Sequence, residues 1–95
     1  MISKIKGKKM DELFQAIMSL KTLDEYYCFF DDLCTVSELK AMEQRYQVAK
    51  MLSQGRVYSE IASETGASSA TISRVNRALL YGSDGYRIAL EREKK

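Results

Sequence analysis

The stretch from Tyr58 to Arg77, YSEIASETGASSATISRVNR, constrains this chain more than any other, because it has the spacing of two short helices crossing at a steep angle around a tight turn. Such a crossing needs a small residue where the helices touch and a glycine where the backbone turns into left-handed geometry. Ala62 and Gly66 stand in those two places. Ile61 and Thr65 face the first helix inward, and Ile72, Val75 and Leu79, at intervals of three and four residues, do the same for the second.

The outer face of the second helix is polar. Ser69, Ser73 and Arg77 form one row at helical spacing, and Ala70 and Arg74 form the next, so small residues come first and arginines later. Ser68 is placed to N-cap this helix by accepting from the amide of Thr71, which presents the helix N-terminus and its partial positive charge outward. Small hydroxyl residues at such a tip allow close approach to base edges. Arg74 or Arg77 can pair bidentately with guanine O6 and N7, or clamp a phosphate. The pattern predicts a DNA-reading helix-turn-helix over about residues 58–81, with Ser68, Ser69, Ala70, Thr71, Ser73, Arg74 and Arg77 as the contact set. The same spacing also fits an ordinary solvated helical hairpin with Ser and Arg outside.

The run GASSATISRVNRALLYG, preceded by TVSELKAMEQRYQVAKMLSQG, resembles the Trp-repressor superfamily, in particular its YerC/YecD-type subgroup. The similarity covers the middle of the chain, from Thr35 to Gly85, and ATISR is its most specific part. The resemblance implies an all-helical, interwound homodimer that binds operator-like double-stranded DNA as a transcriptional regulator, expected to be a repressor. It also implies an effector site. In Trp repressor the corepressor lies between the helix that precedes the helix-turn-helix and the recognition helix, held by arginines. Arg45 and Arg74 match those arginines, and Thr35 matches a threonine of the pocket. One position departs: the residue after the second arginine is glycine in Trp repressor, leaving room for the indole, and here it is Val75. Thr35, Arg45, Arg74 and Val75 are therefore candidates for an effector pocket or a phosphate contact, with tryptophan expected not to act and any other effector left open.

Ninety-five residues suit one domain with a modest core. A net charge of +2 says little by itself, but its distribution is uneven. Lys4, Lys6, Lys8 and Lys9 make residues 1–9 a basic arm that could lie along phosphates or merely aid solubility, ahead of a single helical DNA-binding and dimerisation domain over residues 10–95. Asp11, Glu12, Asp24, Glu25, Asp31, Asp32 and Glu38 then face Lys21 alone. Lys40, Arg45, Lys50, Arg56, Arg74 and Arg77 restore positive charge around the helix-turn-helix. Cys28 and Cys34 are about 9 Å apart along one expected helix, too far to bridge, and are expected to be reduced thiols packed as small apolar groups. Without histidine or a CxxC spacing no metal site is expected, and no cofactor. No apolar run approaches a membrane span, so the expectation is a cytoplasmic protein with no membrane partner.

In chain order, the first helix is expected to open at Asp11 as N-cap and to bury Leu13, Phe14, Ile17 and Leu20. Thr22 with Glu25 reads as a capping box that starts a second helix, with Leu23, Tyr26, Tyr27, Phe30, Leu33 and Cys34 on a broad stripe and Cys28 and Phe29 outside it. A stripe this broad asks for cover on more than one side, and a second copy of the chain would supply it. Thr35 with Glu38 repeats the capping box and launches a long helix through Leu39, Met42, Tyr46, Ala49 and Leu52 to Gly55. Val57 is a poor cap for the next helix. Gly82 to Gly85 ends the recognition helix, and residues 86–92 form a last helix with Tyr86 and Leu90 on one face and Ile88 nearer the other. No sheet signal occurs, and the fold class is all-α with six helices.

An enzyme fits poorly: there is no His, no Gly-rich phosphate loop and no GxSxG elbow, and Asp31 and Asp32 are neighbours that point to different sides of a helix. The serious rival is a helical protein-interaction module that uses the helix-turn-helix scaffold to dock a protein partner, for which the acidic first half would suit a basic surface.

Overall fold

The computed structural model describes residues 4–94, and these form six α-helices with no strand among them. The helices are α1 (Lys8–Met18), α2 (Leu23–Leu33), α3 (Val36–Ser53), α4 (Tyr58–Thr65), α5 (Ser69–Tyr81) and α6 (Gly85–Glu93). Residues 1–3 of the expected basic arm and residue 95 lie outside the described residues. The chain divides into two compact units, Met1–Leu39 and Lys40–Lys95, with the division falling inside α3.

In the first unit α1 starts at Lys8 rather than after Asp11, so Lys8 and Lys9 are helical and the arm is shorter than expected. Gly7 precedes the helix in an extended conformation, and its carbonyl accepts from the Asp11 N–H at 2.9 Å. Lys is a good helix former, and Asp11 inside the first turn meets the positive end of the helix dipole, which is as favourable a place for it as the cap position. Of the two expected capping boxes, that of Thr35 and Glu38 forms in full and that of Thr22 and Glu25 forms only its cap half. Thr22 Oγ1 accepts from the Glu25 N–H at 3.2 Å, while the Glu25 carboxylate reaches one residue further back, to the Lys21 N–H at 2.7 Å. Thr35 and Glu38 close reciprocally, at 3.1 Å and 2.7 Å. The Thr35 backbone N–H, and then its side chain, hold the Glu38 carboxyl below the ordinary glutamate value. Ionised Glu38 therefore supports the start of α3 above the ordinary glutamate range, and that support fades as pH falls through the lowered value.

No residue of α1 or α2 is buried within one chain. Leu13, Ile17 and Leu20 are half-buried as the spacing predicts, but Phe14 is 45% exposed. On α2 the expected stripe is mostly open: Leu23 is 72%, Tyr27 70% and Leu33 50% exposed. Phe29, expected outside the stripe, is half-buried with Phe30, their rings meeting edge to face at 5.6 Å. Cys28 is exposed rather than packed, Cys34 is half-buried, and both are free thiols.

The second unit holds the core: Val48, Ala49 and Met51 from α3, Ile61 from α4, Ala67 from the turn, Ile72 and Val75 from α5, and Leu90 from α6. Each of the larger aliphatic side chains contributes on the order of 1.5 to 3 kcal/mol by leaving water. Ile61, Ile72, Val75 and Leu90 were legible as inward-facing, but Val48 and Met51 lie off the stripe expected for α3, and Met42 on that stripe is 44% exposed. Apolar residues are spread around the circumference of α3, so periodicity selects no single face.

Two glycines set where α4 and α5 end. Gly66 is left-handed, at φ 75°, and donates to the Ala62 carbonyl at 2.9 Å. Gly82 has an ordinary φ, but a Cβ there would lie 2.4 Å from the Ala78 carbonyl oxygen. Gly82→Ala is expected to lower the unfolding free energy by on the order of 1 to 3 kcal/mol through the backbone shift it forces. Denaturant titration against the parent checks this, and an unchanged midpoint would remove the close approach as the reason for glycine.

Candidate nucleic-acid interface

The site is built on α5. Ser68 is its N-cap, accepting from the Thr71 N–H at 3.1 Å, and the Ser68 and Thr71 hydroxyls lie 3.1 Å apart. The capping expected from the sequence is present, with Ser68 exposed and Thr71 half-buried beside it. Ser69, Ala70, Ser73, Arg74 and Arg77 are all exposed. Ala70, Ser73, Arg74 and Arg77 line one shallow depression of about 250 Å³, which brings the two rows into one surface.

The electrostatics of this surface follow from the pairing of the other cations. Lys40 pairs with Glu43 at 3.7 Å and Lys50 with Glu93 at 3.1 Å. Arg56 is held by two carboxylates of α4, Glu60 at 3.6 Å and Glu64. Arg45, Arg74 and Arg77 have no carboxylate partner among the described residues. Helix α5, SATISRVNRALLY, contains no acidic residue. Of the six cations counted on from Lys40 to Arg77, three are thus internally neutralised, and two of the remaining three are on the outer face of α5.

The candidate effector residues fall on both sides of the division between the two units. Thr35 belongs to the first unit, where its hydroxyl accepts from the Glu38 N–H. Arg45 is half-buried on α3, Arg74 is exposed, and Val75 is 2% exposed in the core of the second unit.

Two side chains that sequence reasoning did not single out, Gln44 and Arg87, and one read only as inward-facing, Thr65, hold α5 in place. Gln44 on α3 donates from Nε2 to the Thr65 carbonyl at 3.1 Å, and Arg87 on α6 donates from Nε to the Leu79 carbonyl at 3.0 Å. Thr65 donates its hydroxyl to the Ile61 carbonyl at 2.7 Å and accepts from the Ala67 N–H at 3.1 Å. The first two join separate helices, α3 to α4 and α6 to α5, for which periodicity offers no signal. Thr65 does carry a local one, because a threonine just before a C-terminal glycine is placed to bond both the preceding turn and the following amide.

A sequence profile of the Trp repressor protein family matches residues 8–94. The chain belongs to the Trp repressor family. Its likeness extends over nearly the whole chain: the uncharacterized protein YerC of Bacillus subtilis (strain 168) is 55% identical over 94 residues, 99% of this chain and 90% of YerC. The crystal structure of a TrpR-like protein from Eubacterium eligens ATCC 27750 superposes with a TM-score of 0.92 at 56% identity, covering 96% of this chain and 94% of that one. The six-helix, all-α fold is that of Trp-repressor-like proteins, and the helix-turn-helix of α4 and α5 is part of it.

Ser68→Ala is expected to cost about 1 kcal/mol of stability by leaving the Thr71 N–H without its acceptor, while Ser68→Asp, which keeps an acceptor at the cap, stays close to the parent. Equal loss in both variants by denaturant titration would show that the hydroxyl pair, rather than the cap, is what matters.

Proposed function

We propose that this chain is a sequence-specific DNA-binding transcriptional regulator, a repressor that acts as a homodimer on a near-palindromic operator. The observation that carries this is the pair of exposed guanidinium groups, Arg74 and Arg77, without carboxylate partners on an acid-free helix whose tip presents Ser69 and Ala70. An N-terminal helix tip with small side chains enters the major groove, and the arginines behind it reach base edges or phosphates. The homodimer rests on the first unit. Its large apolar side chains, among them Met18 at 78% and Val36 at 69% exposure, lack cover within one chain, and a second copy is the symmetric way to supply it. Two copies present two reading helices, which fits half-sites about one helical turn, or 34 Å, apart.

Arg74→Ala and Arg77→Ala are each expected to weaken binding to a selected operator by about 1 to 3 kcal/mol with the helical content unchanged, since both side chains are exposed. Operator selection from a random duplex library, followed by titration of the parent and both variants at matched salt, tests this. If both variants bind as the parent does, α5 is not the reading surface. Capture of a protein partner through α5, with no duplex preference, would favour an interaction module instead.

Val75 supports a regulator that needs no tryptophan. It is 2% exposed in the core, so the room a glycine would leave beside the indole is filled, and forcing a ring against a packed valine costs on the order of 1 to 3 kcal/mol. Arg45 and Arg74 are then free to contact phosphate. Operator affinity is expected to be unchanged by tryptophan, with no micromolar binding heat. A large gain in operator affinity on adding tryptophan would overturn this, and Val75→Gly is the variant in which such a response should first appear.

A further inference from the structure

The orientation of α5 depends on the peptide that joins the two helices of the reading head, and that peptide is gripped from outside the motif. Thr65 is the last residue of α4, and its carbonyl is one of those that a helix end leaves without an intrahelical partner. The next residue, Gly66, is left-handed at φ 75° and ψ 4°, and the one after it, Ala67, is 5% exposed in the core. A rotation of the Thr65–Gly66 peptide would therefore swing the start of α5. Gln44 opposes that rotation: its Nε2 reaches across 21 positions of sequence to the Thr65 oxygen at 3.1 Å in a half-buried setting. A Cβ built on Gly66 would lie 4.0 Å from the same nitrogen, so the amide lies against the turn itself. The Thr65 hydroxyl, donating to the Ile61 carbonyl and accepting from the Ala67 N–H, ties the peptide that follows to the preceding turn of α4.

We infer that Gln44 is a positioning residue for sequence discrimination: through the Thr65 carbonyl it sets the angle at which α5 presents Ser69, Ala70, Arg74 and Arg77. This rests on the proposed DNA-reading function. A base-edge contact needs the side chain in register with a particular base, whereas a phosphate contact tolerates a shift of the helix because phosphates recur along both strands. Loosening the turn should therefore reduce preference for the selected operator and leave general affinity for duplex DNA nearly intact.

The test compares the full-length parent with Gln44→Met, which keeps the length and loses the donor, and Gln44→Glu, which sets a carboxylate oxygen against the Thr65 carbonyl. Each is titrated with the selected operator and with a scrambled duplex over a range of salt, and amide hydrogen exchange is followed at Gly66 and Ala67. For Gln44→Met, loss of one neutral hydrogen bond predicts a fall of roughly threefold to tenfold in the ratio of operator to scrambled affinity. Scrambled affinity and the salt slope should stay at parental values, and exchange at Gly66 and Ala67 should accelerate. Gln44→Glu should show a larger fall. Parallel loss of both affinities, an unchanged ratio, or unfolding of both variants would make Gln44 a residue of stability alone and overturn the inference. So would parental exchange rates at the turn in Gln44→Met, a result that stands whether or not the parent prefers any duplex. Absence of operator preference in the parent is a separate outcome, which overturns the DNA-reading function together with this role for Gln44.

Discussion

The side chains of Ile61, Ile72 and Val75, packed on Val48 and Ala49 of α3, are what the reading head depends on. An eight-residue helix such as α4 is too short to persist in water by its own hydrogen bonds, and α5 at 13 residues is marginal. Both exist because one apolar stripe on each is buried. That burial also decides what is left outside: once Ile72 and Val75 point inward, the helical period sends Ser69, Ser73, Arg74 and Arg77 to solvent. The outward chemistry of α5 is thus a geometric by-product of its core, so a core substitution that rotated the helix would disarm the surface without touching it.

Charge pairing sharpens the same surface. Net charge counted along the sequence spreads positive potential from Lys40 to Arg77, but the folded chain spends much of it internally. Arg56 lies between two carboxylates of α4, and Lys40 and Lys50 each meet a glutamate. Surface ion pairs of this kind contribute little to stability. Their larger effect here is subtractive, because they offset the charge of Lys40, Lys50 and Arg56 and leave Arg74 and Arg77 on α5 without a carboxylate partner among the described residues.

Much of this could be read from residue order. The crossing of α4 and α5, the Ser68 cap and the two capping boxes are local signals, in which the residue types that form each feature lie within a few positions of one another. Gly66 was legible for the same reason. The start of α1 was not, because Lys8, Lys9 and Asp11 are each as acceptable inside a first helical turn as before it. On α3 the buried set departs from the expected stripe, since Val48 and Met51 are chosen by where α4, α5 and α6 lie and not by period. Gln44 and Arg87 escaped for a deeper reason: an exposed-looking polar residue that reaches an orphan carbonyl on another helix leaves no trace in the spacing of its own helix.

The two ends of α4 are secured very differently. At its C-terminus, Gly66, the Thr65 hydroxyl and Gln44 all satisfy carbonyls of the last turn. At its N-terminus, Val57 has no side-chain acceptor to offer; the Val57 N–H donates to Glu60 at 3.4 Å, near the limit of a hydrogen bond, and Arg56 pairs from outside the helix with Glu60 and Glu64. Fraying of α4 is therefore expected to begin at Tyr58, the end without a side-chain cap, and to be opposed at the turn. Opening in that order would leave the joint until last, so that α5 would keep its bearing through most of it.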